Sequence, residues 1–209
     1  MVRVYEFFLS GGPVMWPLLA CSLVVVTVII ERVLFWYGLN ARRDRKLMNT
    51  VLSLAEQGEW EQIKIRTEGN RDYVITVLVV GILHRDFDMG AAMEAETEMV
   101  LQRMNRFMPV LDTMITVAPL LGILGTVLGI ISSFKMLGAE GIADPKLVTA
   151  GIAQALVTTA TGLIISISAV IPYNYFNTRI DRALHGITTY ATSLEVVYKK
   201  LVRSVEYRP

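Results

Sequence analysis

The chain has 209 residues, 53% of them hydrophobic, and a mean hydropathy of +0.48, which is too apolar for an ordinary soluble domain and indicates several membrane spans. The formal net charge of +1 gives no reason to expect a nucleic-acid partner. The single cysteine, Cys21, excludes a disulfide within the chain.

The first candidate span follows a short lead, residues 1–12. Eighteen uncharged residues run from Pro13 to Ile30. We expect a retained transmembrane helix over 13–37 rather than a signal peptide, because a basic start and a small-residue cleavage site are missing. Trp36 and Tyr37 suit the membrane interface at its end.

Residues 38–107 are more polar and predict a cytoplasmic helical domain. Its apolar stretch, Tyr73–Leu83, has 11 residues, which are too few to cross a bilayer, so we expect a buried helix. Asp88 can cap the next helix. That helix is expected to run on into the second span, with kinks at Pro109 and Pro119.

Two longer uncharged stretches follow. Residues 113–134 and 147–178 contain 22 and 32 residues without a charge. As helices they would be roughly 33 and 48 Å long, against about 30 Å for the hydrocarbon core of a bilayer. The predicted segments are a transmembrane helix at 108–137, a periplasmic turn at 138–147, a transmembrane helix at 148–178, and a cytoplasmic helix and tail at 179–209.

Each of these two helices has one face of small residues. At 100° per residue, the small face of the first holds Gly122, Gly125, Thr126, Gly129 and Ser133. That of the second holds Gly151, Ala155, Thr158, Gly162, Ser166 and Ala169, flanked by Gln154 and Thr159. Small residues let helices approach closely, so we expect both faces to line the central seam of a homo-oligomer. The polar side chains also suit an ion-conducting seam, and tight packing alone is the alternative interpretation.

Basic residues predict the topology. Residues 31–107 hold 11 Lys and Arg, and residues after 178 hold six, whereas 1–12 and 138–147 hold one each. The side rich in basic residues is expected to be cytoplasmic. An all-α membrane protein with three spans therefore has its amino terminus outside and its carboxyl terminus inside.

Three motifs carry a resemblance. Residues 118–129 (APLLGILGTVLG), 151–162 (GIAQALVTTATG) and 171–174 (IPYN) resemble the MotA/TolQ/ExbB proton-channel family, most closely its ExbB branch. The resemblance implies a pentamer in the bacterial inner membrane, around two helices of a single-span ExbD/TolR-like partner that carries a membrane aspartate. It further implies coupling of the proton motive force to a periplasmic load, such as a TonB-like protein.

The resemblance also assigns roles to residues. Thr126 and Thr159 match the threonines of the first two motifs, and Gln154 stands where some relatives have glutamate, so the pore wall lacks an acid there. The proposed pathway set is Thr126, Thr159, Gln154, Thr158, Ser166 and Ser133, with Asp112 at the pore mouth. The packing set is Gly122, Gly125, Gly129, Gly151, Ala155 and Gly162.

Three other interpretations remain open. A TolQ-type envelope-integrity motor and a passive oligomeric scaffold fit the same spans. A membrane enzyme fits poorly, since no nucleophile–base arrangement occurs and His84 and His185 lie in separate polar regions. We expect no cofactor and no metal.

Overall fold

The computed structural model describes Phe8, residues 11–139 and residues 145–206, with the side chains of 136–139, 145–148 and 204–206 excepted. These ranges contain helices and no strand, which confirms the predicted all-α class. The predicted lead 1–12 lies mostly outside them, and so do residues 140–144 of the predicted turn 138–147. The helices are α1 (Met15–Ala41), α2 (Arg45–Glu56), α3 (Trp60–Thr67), α4 (Tyr73–Leu83), α5 (Met89–Asn105), α6 (Met108–Ala139) and α7 (Pro145–Glu206).

Three helical stretches are long and apolar enough to cross a membrane: α1, the Met89–Lys135 stretch and the Thr149–Arg203 stretch. This agrees with the three predicted spans. The predicted run of α5 into α6 is interrupted only at Arg106 and Phe107. Pro109 falls at the second position of α6, where its missing N–H costs little, whereas Pro119 lies inside the helix.

The chain divides into two compact units. The first comprises residues 1–32 and 107–175, and the second comprises 33–106 and 176–209. In the first unit, Arg32 is only 1% exposed. Its charge is compensated by Glu31, with Nε and Oε2 2.5 Å apart, and its guanidinium lies 5.3 Å from the ring centre of Phe107. A buried arginine with these partners carries no uncompensated charge into the core.

The core of the second unit contains α4. Its residues Val74, Val77 and Leu78 are fully buried, so this helix is a buried element rather than a fourth span, as predicted. Asp88 caps α5 as predicted, because its Oδ1 accepts the backbone N–H of Ala91 at 2.9 Å. The buried stripe of α5 consists of Met89, Met93, Val100 and Met104.

Candidate functional site

The candidate site lies in the first unit, where α6 and α7 pack in antiparallel directions. A Cβ added to Gly122 would lie 3.0 Å from both Thr158 O and Thr159 Cα. One added to Gly162 would overlap the carbonyl oxygen of Ala118 and lie 3.2 Å from Gly122 Cα. Only glycine allows backbones this close, so these two residues set the distance between the helices.

The same close packing continues toward the other end of the pair. A Cβ on Gly129 would lie 2.9 Å from the Cβ of Ala155 and 3.2 Å from the carbonyl oxygen of Gly151. Gly151 in turn lies against Ser133, whose hydroxyl donates to the Gly129 carbonyl at 3.0 Å. The small face of each helix is therefore covered by the small face of the other.

This pairing bears on the expected role of the small faces. They were predicted to line the seam between copies, and within a single chain they pack against each other. Thr158 and Ser133 are only 1% and 3% exposed, and a Cβ on Gly125 would lie 2.6 Å from the Cβ of Thr158. The Thr158 hydroxyl donates to the Ala155 carbonyl at 2.7 Å. In the single chain, both side chains are therefore enclosed between α6 and α7.

Hydroxyl groups of α7 bond to backbone carbonyls of α6. Pro119 has no N–H, so the carbonyl of Ile115, four residues earlier, lacks its helical donor. The Ser166 hydroxyl supplies one, with Oγ 2.7 Å from that oxygen. The Thr159 hydroxyl donates to the Gly122 carbonyl at 2.9 Å. The sequence analysis named Pro119 and Ser166 separately. The position of Pro119, four residues after Ile115, identifies Ile115 as the carbonyl that needs another donor.

The open polar groups lie along one edge of the pair. Thr159 and Ser166 are seven residues apart, so they project in nearly the same direction. Gly125 of α6 faces Thr158 of α7, and Thr126 and Thr159 each follow these residues by one position. In two antiparallel right-handed helices, a step of one residue from facing positions leads to the same edge of the pair. Thr126 therefore lies on the edge that Thr159 and Ser166 occupy. We call these three residues the hydroxyl edge. All three are half-buried, and the Thr126 hydroxyl donates to the Ile123 carbonyl at 2.6 Å.

Gln154 does not belong to this edge. It precedes Thr159 by five residues, a rotation of roughly 140°. Its amide lies against Gly12, since a Cβ there would overlap Nε2 and lie 3.1 Å from Cδ. A cavity of about 290 Å³ on this second edge is bordered by Leu18 of α1 and Thr161 of α7. The start of α1 therefore covers the edge on which Gln154 lies. The sequence analysis grouped Gln154 with Thr126 and Thr159, but in the structure Gln154 lies on the opposite edge of the helix pair.

Asp112 is exposed and lies on α6 fourteen residues before Thr126, a rise of roughly 21 Å. It stands just before the uncharged stretch, as expected for a residue at a mouth. The stretch itself, residues 113–134, offers no carboxylate, and neither does 147–178. Hydroxyl groups can order water or accept a bond from an acid, but they do not titrate near neutral pH, so the edge has no titratable group of its own.

Nothing in the described part of the chain points to a metal centre, since no three His, Cys, Asp or Glu residues come together there. The conformation of the site depends on glycine, proline and hydroxyl groups instead.

Comparison with known proteins agrees with this architecture. The sequence profile of the MotA/TolQ/ExbB proton channel family matches residues 78–189. ExbB-like protein 3 of Synechocystis sp., a biopolymer transport protein, is 35% identical over 92% of this chain and 93% of its own length. Biopolymer transport protein exbB1 of Vibrio cholerae is 28% identical over 83% of this chain and 78% of its own length.

TolQ of the Tol-Pal system in Pseudomonas aeruginosa is also similar, at 34% identity, but over 49% of this chain and 45% of its own length. The profile covers more than half of the chain, and the Synechocystis relative matches nearly all of it. With three apolar helices in addition, this is a membrane protein of the MotA/TolQ/ExbB proton channel family.

Proposed function

We propose that the chain is the ring-forming subunit of an ExbB-type motor that converts the proton motive force into work. The observation that carries the proposal is the hydroxyl edge, Thr126, Thr159 and Ser166, which α1 leaves uncovered while it packs on the opposite edge. The three hydroxyl groups already donate to backbone carbonyls, but their oxygens can still accept a hydrogen bond from a polar neighbour in the membrane. In a ring of five copies, this edge would face the central pore.

Because this edge has no acidic side chain, the titrating group would come from a partner. A single-span ExbD/TolR-like protein, present as a dimer in the pore, would bring the titrating aspartate. Protonation removes a charge that is costly among apolar helices, and this changes which hydroxyl groups the aspartate prefers. Five equivalent walls then give equivalent next positions, so stepwise rotation of ring against partner follows.

The energy available sets the scale of this work. A potential of 100 mV provides about 2.3 kcal/mol for each charge that crosses the membrane, so a work cycle that uses several protons has several times this energy available. The proposed topology has the amino terminus in the periplasm and the carboxyl terminus in the cytoplasm. Asp112 would then stand at the cytoplasmic mouth of the pathway, below the hydroxyl edge.

The ExbB-type role is favoured over the TolQ type because the ExbB-like relative matches nearly the whole chain and the TolQ relative about half of it. The load would then be a TonB-like protein that spans the periplasm. Co-purification distinguishes the two, since an ExbB-type subunit should retain an ExbD-like partner when TolR-like and ExbD-like proteins compete for it.

The test uses valine variants that keep the shape of threonine and delete its hydroxyl. Thr126→Val and Thr159→Val should leave the ring assembled with its partner and abolish proton flux into proteoliposomes. Thr161→Val is the matched control, because Thr161 is also half-buried but lies on the edge that α1 covers, where its hydroxyl bonds the Val157 carbonyl at 2.8 Å. We expect the control to conduct normally.

Two results would contradict the proposal. If the double variant of Thr126 and Thr159 drives the partner as well as the unaltered chain does, the hydroxyl edge has no part in transport and the chain is a passive scaffold. If the chain alone conducts protons at the full rate, no acid from a partner is required. Native mass spectrometry of each variant with its partner separates loss of transport from loss of assembly.

A further inference from the structure

The second unit contains an arginine-rich cavity that the channel function does not use. Its volume is about 370 Å³. It is bordered by the end of α1, the start of α2, the start of α4 and the part of α7 that follows the uncharged stretch. The side chains that matter for the argument are Arg43, Arg45, Arg179, Arg182, Trp36 and Tyr73.

Aromatic rings hold two of the arginines in place. The Arg43 guanidinium lies 4.7 Å from the ring centre of Tyr73, and the Arg179 guanidinium lies 5.7 Å from the ring centre of Trp36. A guanidinium that contacts a ring through its face keeps the N–H groups at its rim for bonding. These contacts orient donors in the cavity wall before any ligand arrives.

Basic side chains dominate the lining of the cavity. Its described lining has four guanidinium groups and no carboxylate. Asp72 lies behind the wall, 3.8 Å from Nε of Arg43, and its side chain is fully buried. Its oxygens already accept the backbone N–H groups of Asp44 at 2.8 Å and Val74 at 2.9 Å. Asp72 lies next to Arg43, and the exposed guanidinium groups of Arg45 and Arg182 add positive charge to the wall, so the cavity is suited to an anion.

Two buried donors in the wall lack acceptors. Trp36 is 6% exposed, and its Nε1–H has no hydrogen-bond partner. Nη1 of Arg43 is likewise buried without one. Burial raises the pKa of the Tyr73 hydroxyl, an effect that the Arg43 charge only partly opposes, so this group also remains a donor at neutral pH. Buried donors are normally satisfied, and an oxyanion with several acceptor oxygens would satisfy them together.

The position along the helices identifies the source of that anion. Arg179 is the first charged residue after the 32 uncharged residues of α7, and Trp36 lies near the end of the apolar helix α1. Arginine and tryptophan at such positions are typical of the headgroup layer of a membrane, where basic pockets between helices bind anionic lipids. A soluble phosphate has the same chemistry, but the position favours lipid.

We propose that this cavity binds the phosphate of an anionic phospholipid headgroup. The arginines would bind the phosphate oxygens, and Trp36 would lie at the boundary between headgroup and acyl chain. The site requires that α1 and α7 span the membrane, but it does not depend on proton transport, so the two proposals can fail separately.

The experiment measures lipid binding to the full-length protein, purified in lauryl maltoside and freed of lipid. Dioleoylphosphatidylglycerol is added, and native mass spectrometry counts the molecules that each protomer retains. We expect saturable binding at one site per protomer, with little retention of dioleoylphosphatidylcholine. The variant Arg45→Gln/Arg182→Gln should weaken binding about tenfold or more, because it removes two charge-assisted contacts.

The matched control is Arg42→Gln/Arg66→Gln, which removes the same charge from two exposed arginines that do not border the cavity. It should bind as the unaltered protein does. An equal loss in the control would show that general surface charge retains the lipid and would overturn the proposal. Equal retention of the two lipids, or no saturable binding, would do the same.

Two further measurements exclude other occupants. If sodium phosphate displaces the lipid completely at millimolar concentration and binds by itself, the natural ligand is a soluble phosphate and the lipid assignment is wrong. If binding occurs only after the ring has been dissociated, a neighbouring copy fills the cavity, which also overturns the proposal. Elution volume in gel filtration shows whether each variant keeps its fold and assembly.

Discussion

The hydrogen bond between Ser166 and the Ile115 carbonyl allows a sharp test of how α6 and α7 are held together. This bond exists because Pro119 cannot donate to Ile115. Replacing Ser166 with alanine leaves the carbonyl without a donor from either helix. In a Pro119→Ala background, the new backbone N–H can donate to the same carbonyl, so loss of the Ser166 hydroxyl should matter much less.

The expected magnitude follows from the 2.7 Å bond and its surroundings. An unsatisfied buried carbonyl costs about 1–3 kcal/mol, and interhelical bonds in membrane proteins average about 0.6 kcal/mol, with a maximum near 1.7. Both residues are half-buried, so we expect Ser166→Ala to lower the free energy of unfolding by about 1 kcal/mol. With alanine at position 119, the cost of Ser166→Ala should fall below about 0.5 kcal/mol, because the new backbone N–H at that position then donates to the Ile115 carbonyl.

The assay is equilibrium unfolding in mixed micelles, with sodium dodecyl sulfate as denaturant and the four proteins of the double-mutant cycle compared under one condition. Thr159→Ala is the control perturbation. Its hydroxyl bonds the Gly122 carbonyl, which is not the carbonyl freed by Pro119, so its cost should be equal in both backgrounds. Equal costs of Ser166→Ala with proline and with alanine at position 119 would refute the coupling.

Further predictions concern packing, capping and topology. Gly162→Ala should lower the free energy of unfolding by about 1–3 kcal/mol relative to Gly186→Ala, because the added methyl group meets the α6 backbone at position 162 and nothing within 4 Å at position 186, while the gain in helix propensity is the same. Unfolding of both variants in micelles measures this difference, and equal effects would show that the helices do not pack closely at Gly162. Asp88→Ala should cost about 1 kcal/mol in the same assay, whereas Glu59→Ala should cost little, since Glu59 makes no side-chain cap bond; a smaller loss for Asp88 than for Glu59 would argue against the cap. A reporter fused after Pro209 should be active only if it works in the cytoplasm, and labelling of that end from outside intact cells would reverse the proposed topology.

The sequence alone was sufficient for the helices and for the candidate spans. Uncharged length identified three stretches that can cross a membrane, because a bilayer core requires about 20 apolar residues. The 11 residues of α4 were too few, and the fold buries them. Asp88 was recognisable as a cap from its position alone. These properties depend on local composition and spacing, which are visible along the chain.

The sequence also showed the small faces of α6 and α7, but not what they contact. A helical wheel gives the direction of each side chain around its own axis and says nothing of the partner. Two glycine-rich faces can pack within one chain or between copies with the same chemistry. The tertiary structure shows the packing within one chain, through the contacts of Gly122 and Gly162 with the opposite backbone.

Only the tertiary structure shows which polar residues of the candidate site are buried and on which edge the others lie. Thr158 and Thr159 are neighbours in sequence, yet the first is enclosed between the helices and the second lies at an edge. Gln154 lies on the other edge, against Gly12, a residue 142 positions earlier in the chain. Which hydroxyl groups remain at an open edge depends on the antiparallel register of α6 and α7 and on the edge that α1 covers. Both arise from contacts between residues far apart in sequence.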